Sequence, residues 1–260
     1  MRITLKSQRE LEQMRASGRV VQRALQRAQE QIRVGMTTLE LDQIVYDCYT
    51  SAGARGLFKN YPSYQPGTGF PGNTCISVNE EVVHGIPSKR VLKDGDIVSV
   101  DCGVSLGNYC GDSAVTILLG NVAEKTRKMC AVTQGTLDLA IREIRPGRRW
   151  SDIARLMQDF VESQGFAVVQ DFVGHGIGQQ MHEDPKVPNC VTKDFLRRGD
   201  FYLQAGMTLA IEPMVIVGAA EVQILTDGWT VVSRDGTPAA HYEHTVAVTA
   251  TGADVLTDGR

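Results

Sequence analysis

Apolar side chains recur at helical spacing between residues 7 and 32, where Leu11, Met14, Val20, Val21, Leu25 and Ala28 share one face. Ser7 followed by Glu10 supplies the two ends of a capping box, and Gly35 closes the unit. A second helix is predicted to open at Thr37 and Thr38, with Leu41, Ile44, Val45 and Cys48 as its apolar side and Gly53 as its stop. Residues 59–73 then break the pattern: Tyr61, Tyr64 and Phe70 stand among three prolines and three glycines. Such a loop on a rigid scaffold suits a substrate pocket as well as it suits a packed surface turn. Extended segments follow. Residues 75–79 read as a short strand, and 80–86 lead to His84 ahead of Gly85, Ile86 and Pro87. From 95 to 119 the β-formers Ile97, Val98 and Val100 precede Asp101, Gly107 and Asn108 offer a reversal, and Val115 to Leu119 return as a second strand. On this reading Asp101 and Asp112 sit at facing ends of the hairpin.

The second half repeats the plan. Met129, Val132, Leu137 and Ala140 mark a helix over 123–141, and Ile153, Leu156, Met157, Phe160 and Val161 mark another over 152–164, stopped by Gly165. Residues 171–185 are too glycine-rich for an ordinary helix, and 195–216 reads as the counterpart of the earlier strand-rich stretch. Strands are expected at 221–225 and 229–233 around Asp227 and Gly228, and a last one at 242–249. Ile-Arg-Val-Gly at 32–35 and Ile-Arg-Pro-Gly at 144–147 are offset by 112 residues; Leu-Lys-Asp-Gly at 92–95 and Leu-Gln-Ala-Gly at 203–206 by 111. In that register Asp101 falls on Glu212. The expected organisation is one domain over 1–260, with pseudo-two-fold halves at 7–120 and 121–256 that bring carboxylates to a shared centre.

Composition narrows the function. The 260 residues carry 27 basic and 30 acidic side chains, so no dominant basic field points to nucleic acid. Six cysteines form no CxxC pair, which fits a reducing compartment and argues against a zinc-finger site. The N-terminus turns polar at once, and the most apolar stretch, 207–220, contains Glu212 and Pro213, so neither a signal core nor a membrane span is expected.

What remains is a set of acids lodged among apolar or glycine-rich residues: Asp101, Asp112, Glu212 and Glu243, with His175 between glycines. Acids in such surroundings need a cation or a donor, or else they are solvent-facing turn residues. Four carboxylates and one imidazole suit hard or borderline divalent ions and exclude a thiolate or iron–sulfur site. Their mutual repulsion calls for two ions, and a water between two ions becomes an activated nucleophile. Asp112 and Glu243 are natural bridging residues, although spacing alone does not assign them. Cys102 should face away from Asp101, because strand neighbours alternate. Cys110 is expected to be a buried, inert thiol, and His241 and His244 to be structural or to support the acids.

Seven motifs in order carry a resemblance over almost the whole chain. They are Asn-Glu-Glu-Val-Val-His-Gly-Ile-Pro at 79–87, Asp-Ile-Val-Ser-Val-Asp-Cys-Gly at 96–103, Gly-Asp-Ser-Ala-Val-Thr at 111–116, Gly-His-Gly-Ile-Gly at 174–178, Met-His-Glu-Asp-Pro at 181–185, Ala-Ile-Glu-Pro-Met at 210–214 and Tyr-Glu-His-Thr at 242–245. Together they resemble the bacterial type I methionine aminopeptidases. The resemblance implies an α+β, pseudo-two-fold pita-bread (creatinase/aminopeptidase) fold, a central curved antiparallel sheet covered by helices. It implies removal of the initiator methionine from new proteins ahead of a small second residue, by attack of a metal-activated hydroxide on the first peptide bond. It implies two divalent ions, cobalt, manganese, iron or zinc, with Asp101 on one, Asp112 and Glu243 shared, and His175 and Glu212 completing the other. His84 would assist proton transfer near the substrate amine, and His182 would contact the scissile carbonyl. Glu212 would take the water's proton. Phe70, Cys75 and Trp229 would surround the methionine side chain. A cytoplasmic monomer is implied, acting on nascent N-termini near the ribosome without specific nucleic-acid or membrane contact.

Three departures stand out: Ala210 where the family has Thr, Cys110 where it often has His, and a longer loop over 60–71. Two other readings compete. A proline-directed peptidase of the same fold usually carries an extra N-terminal domain, and here the first repeat begins almost at residue 7. A non-catalytic binding module has usually lost ligands, and here all five remain.

Overall fold

The computed structural model describes residues 2–62 and 69–260. The chain opens with α1 (Gln8–Gln31) and α2 (Thr38–Ser51), followed by β1 (Arg55–Gly56), β2 (Cys75–Val78), β3 (Glu81–Val83) and the long hairpin of β4 (Ile97–Leu106) and β5 (Tyr109–Leu118). The second half brings α3 (Glu124–Glu143), α4 (Trp150–Ser163), β6 (Ala167–Val168), β7 (Gly174–Gly176), β8 (Glu183–Val187), α5 (Lys193–Arg198), β9 (Thr208–Ile211) and β10 (Met214–Ile216). It ends with β11 (Val222–Ile224), β12 (Val231–Ser233), β13 (Ala239–His241), β14 (Glu243–Val248) and β15 (Ala253–Val255).

The helix starts follow from local chemistry. Glu10 accepts hydrogen bonds from the backbone N–H and hydroxyl of Ser7, both at 2.7 Å. Glu40 does the same for Thr37, whose hydroxyl accepts from the Glu40 N–H at 3.2 Å. Each cap satisfies donors that the first turn leaves free.

Nine strands form the main antiparallel sheet, in the order β1-β4-β5-β14-β9-β7-β8, with β2 added on β4 and β15 on β14. β14 is the seam between halves: it pairs with β5 through Glu243 and Ala114, and with β9 through Thr245 and Ala210. Two three-stranded sheets, β13-β10-β6 and β11-β12-β3, complete the framework. α1 and α2 bury Val21, Leu41 and Val45 against Val100 and Cys102 of β4. α3 and α4 bury Met129, Trp150 and Met157 in a cluster with Leu209 of β9 and Val246 of β14.

The internal repeat is built from the same backbone handles. The Gly35 N–H donates to the Leu92 carbonyl and the Gly147 N–H to that of Leu203, both at 2.8 Å. Gly95 and Gly206 sit at φ 92° and 91°, a region where a side chain costs strain, and donate to Leu119 and Val248.

Two expectations need correction. Asp101 and Asp112 do not lie at the ends of the hairpin. Both strands run for ten residues, and the acids sit inside them, Asp101 opposite Ala114 and Asp112 opposite Gly103. The ladder with β5, β1 and β2 carries β4 through Cys102 and Gly103, which composition alone reads as a break. The acids are therefore diagonal neighbours on one face. Residues 195–216 also differ from their first-half counterpart, because 193–198 form a helix. The Thr192 hydroxyl starts it by accepting from the Phe195 N–H at 3.1 Å.

Candidate metal centre and substrate pocket

β4 and β5 present Asp101 and Asp112, β14 presents Glu243 beside Ala114, β7 presents His175 opposite Ala210, and Glu212 follows β9 directly. Ligand atoms of Asp112, His175 and Glu243 lie within 4.8 Å of one another, and all three residues are buried. His175 Nε2 is 4.0 Å from Asp112 Oδ2 and 3.7 Å from Glu212 Oε1.

The state of His175 is fixed by its other nitrogen. Nδ1 is 2.9 Å from the Gly176 carbonyl, which can only accept, so Nδ1 carries the hydrogen. Nε2 therefore turns a bare lone pair toward two carboxylates. Burial, and then the charge of His182, drop the His175 pKa to about 3, so the ring is neutral. The acids are strained in the opposite sense. Burial lifts Glu212 to about 8, and burial followed by the Glu212 charge lifts Asp112 to about 8. Burial first, then neighbouring acids, push Asp101 and Glu243 well above the carboxylate range. Asp101 Oδ1, Asp112 Oδ1 and Glu243 Oε1 are buried with no hydrogen-bond partner among the described residues. Unpartnered oxygens and an imidazole lone pair thus gather in one buried place. The donor set fits divalent metal.

The predicted histidines flank this cluster. His182 precedes β8, and its ring lies 4.2 Å from that of His175. Its Nδ1 is 2.6 Å from the Tyr61 hydroxyl. His84 follows β3 with φ 60°, an uncommon backbone for a residue with a side chain, and its ring meets Phe172 edge-on at 5.6 Å. Burial first, then the charges of His241 and His182, lower its pKa to about 4.

The predicted pocket residues also come together. Phe70 and Cys75 are buried with Phe58 and Met181, and Trp229 packs against them with its ring 5.2 Å from that of Phe70. Cys75 pairs across the sheet with Asp101, so the apolar cluster abuts the acids. Tyr64 lies outside the described residues.

Sequence reasoning passed over several neighbours. Phe58 and Met181 carry apolar signals with nothing to mark them as members of this cluster rather than of the main core. Asn189 donates from Nδ2 to the Glu212 carbonyl at 3.1 Å. His241, which the sequence marks as structural or as a support for the acids, has its Nε2 3.5 Å from Glu212 Oε2. Cys102 packs on the helix side, away from Asp101, as strand alternation predicts. Cys110 is buried, with Sγ 3.5 Å from the Gln179 carbonyl, and burial pushes its thiol up to about 12. Ala210 places a methyl group opposite His175. Among the described residues no helix is long and apolar enough to cross a membrane.

Comparison with known proteins agrees with this geometry. The family model of metallopeptidase family M24 matches residues 12–250. Methionine aminopeptidase 1 of Bacillus subtilis is 46% identical over 255 residues, covering 98% of this chain and 99% of that protein. The crystal structure of methionine aminopeptidase from Thermotoga maritima superposes with a TM-score of 0.92 at 42% identity, covering 98% of this chain and 99% of that one. Prolidase from Pyrococcus furiosus shares the fold alone, with a TM-score of 0.78 at 21% identity, and this chain covers 66% of it. With its curved antiparallel sheet, flanking helices and buried Asp–His–Glu cluster, the chain belongs to metallopeptidase family M24, among the type I methionine aminopeptidases.

Proposed function

We propose that this protein is a metalloaminopeptidase that removes the N-terminal methionine from newly made proteins when the second residue is small. The observation that carries the reading is the His175 Nε2 lone pair facing Asp112 and Glu212, next to the apolar cluster of Phe70, Cys75 and Trp229. Asp101, Asp112, His175, Glu212 and Glu243 would hold two divalent ions. Bound there, the metal supplies Lewis-acid polarisation of the carbonyl and a water acidic enough to react at neutral pH.

The chain supplies the rest. The pocket takes the unbranched thioether, whose soft surface suits Met181, Cys75 and the aromatic edges. Burial of that side chain positions the first peptide bond beside His182 and His84. His182 donates to the carbonyl oxygen as negative charge develops. Glu212 takes the proton of the attacking water and passes it toward the leaving amine, aided by His84, which burial keeps neutral. The protein would work as a cytoplasmic monomer on nascent N-termini, in passing contact with the ribosome at most.

The test is release of methionine from Met-Ala-Ser by metal-free protein titrated separately with manganese, iron, cobalt and zinc, with Ala-Pro run in parallel. Metal-restored loss of one methionine is expected, and it ranks the ions. Folded protein that is silent on Met-Ala-Ser but splits Ala-Pro would replace this reading with a proline-directed one. Glu212→Gln and His84→Ala should each lower kcat by about two to four orders of magnitude, the range for a removed proton-transfer group. Normal turnover by both would overturn the role assignments.

A further inference from the structure

Tyr61 has no part in the chemistry described above, yet its hydroxyl touches it. The phenol oxygen lies 2.6 Å from His182 Nδ1, and the two rings meet edge-on with centroids 5.3 Å apart. The same stretch of backbone carries the pocket wall. The Phe70 N–H donates to the Tyr61 carbonyl at 3.0 Å, and the Asn60 N–H donates to the Phe70 carbonyl at 2.8 Å. Between a phenol and a neutral imidazole nitrogen, the phenol is the stronger acid and the nitrogen the stronger acceptor, so the arrangement in which Tyr61 donates is the favoured one. Nδ1 of His182 is then bare, and Nε2 must carry the ring's hydrogen.

We propose that Tyr61 is a positioning residue that locks His182 in the Nε2–H tautomer and fixes the plane of its ring, so that His182 meets the scissile carbonyl as a donor. The neighbouring histidine makes the logic visible. His175 lies 4.2 Å away, ring to ring, and is set the other way: its Nδ1 donates to the Gly176 carbonyl and its Nε2 is bare. Two adjacent imidazoles are thus assigned opposite tautomers by opposite partners. A carbonyl acceptor makes one a metal ligand, and a phenol donor makes the other a hydrogen-bond donor. Because Tyr61 hangs from the pocket wall, filling the pocket and orienting the donor are mechanically linked.

The proposal rests on the reading of His182 as the residue that meets the carbonyl, and the experiment separates the two. Zinc-loaded protein labelled with ¹⁵N at histidine is compared with Tyr61→Phe, the His182 signals being assigned by their loss in His182→Gln. The wild-type spectrum should show His182 protonated at Nε2 and bare at Nδ1, and Tyr61→Phe should show the two tautomers averaging. Phenylalanine keeps the ring contact, and thermal unfolding checks that the variant is folded. On Met-Ala-Ser, Tyr61→Phe should lower kcat about tenfold, the worth of one net hydrogen bond, with KM little changed. In a His182→Gln background the same change should add nothing, because the group it positions is gone. An unchanged tautomer in Tyr61→Phe, a loss confined to KM, or an equal loss in the His182→Gln background would each overturn the proposal. Wild-type protein inactive on Met-Ala-Ser would overturn the functional reading, while the spectra would still decide the tautomer.

Discussion

The two halves of the chain use the same backbone handles and spend their buried side chains differently. In α4 the first helical residue is Trp150, fully buried, stacked on Phe201 and donating from Nε1 to the Pro188 carbonyl at 2.8 Å. The matching residue of α2 is Thr38, and one turn on, where α4 has Ala154, α2 has Asp42. Asp42 is buried and accepts from the backbone N–H groups of Asn73 and Thr74 and from both their side chains, at 2.6 to 3.1 Å. The second half thus secures its connecting segment with apolar volume, and the first half with a satisfied carboxylate. The difference follows what each segment leads to. The residues held by Asp42 run straight into Cys75 at the pocket, where direction matters as much as cohesion. A scaffold can be duplicated wholesale, while the side chains facing the centre specialise.

The strongest break in that comparison is a pair of truncations. Trp150→Ala should cost about 3–5 kcal/mol of stability, the range for deleting a buried aromatic, and leave KM for Met-Ala-Ser unchanged in the folded protein. Asp42→Ala should cost less, about 1–3 kcal/mol, but raise KM, because donors beside Cys75 lose their acceptor. Denaturant midpoints and steady-state kinetics on both variants decide it. If Asp42→Ala leaves KM alone, the carboxylate is ordinary glue.

A second test uses acids from both halves. Burial lifts Asp112 and Glu212 to about 8 in the metal-free protein, whereas carboxyls in an unfolded chain titrate near about 4. Between those values the native state holds protons that the unfolded chain has released. The stability linked to these groups is therefore complete below about pH 4 and is lost as pH rises through about 8. The Tm of metal-free protein should fall between about pH 5 and about pH 8.5, and added manganese should raise Tm more at the alkaline end. A metal-free Tm that climbs across this window would contradict the geometry of the acid cluster.

The smallest effect sharpens the repeat. Gly95→Ala should cost about 1 kcal/mol, the strain of a left-handed residue. Gly206→Ala should cost more, since a Cβ there would meet the Lys6 carbonyl at 3.0 Å, while the nearest atom at Gly95 is 3.5 Å away. Equal losses in thermal scans would mean that the N-terminal segment yields without resistance.

Much of this was legible in the sequence, for physical reasons. Capping boxes at Ser7 and Thr37 are local events, and so is the reversal at Gly107 and Asn108, which take φ 60° and 70°. The repeat was readable because its glycines occupy conformations that other residues avoid. The acid cluster was readable because Asp101, Asp112, Glu212 and Glu243 each break an apolar run. Other features depend on the path of the chain. The full length of β4 is set by its partners and not by its own composition. The helix at 193–198 hinges on the Thr192 hydroxyl. The Tyr61–His182 contact spans 121 positions, and no periodicity marks it. Likewise, the bare Nε2 of His175 follows from where a neighbouring carbonyl points.

The two ends of the 60–71 segment are tied to each other. Pro62 and Gly69 bridge across it, and the Asn60–Phe70 and Tyr61–Phe70 backbone hydrogen bonds close it from below. Such a clasp fixes the alignment of Tyr61 and Phe70 through their own backbone. Extending a loop beyond a closed neck carries only a slowly growing entropic penalty. Residues inserted beyond Pro62 and Gly69, a spliced reporter among them, are therefore expected to leave the pocket wall in register, because its alignment is carried by the backbone bonds of Asn60, Tyr61 and Phe70.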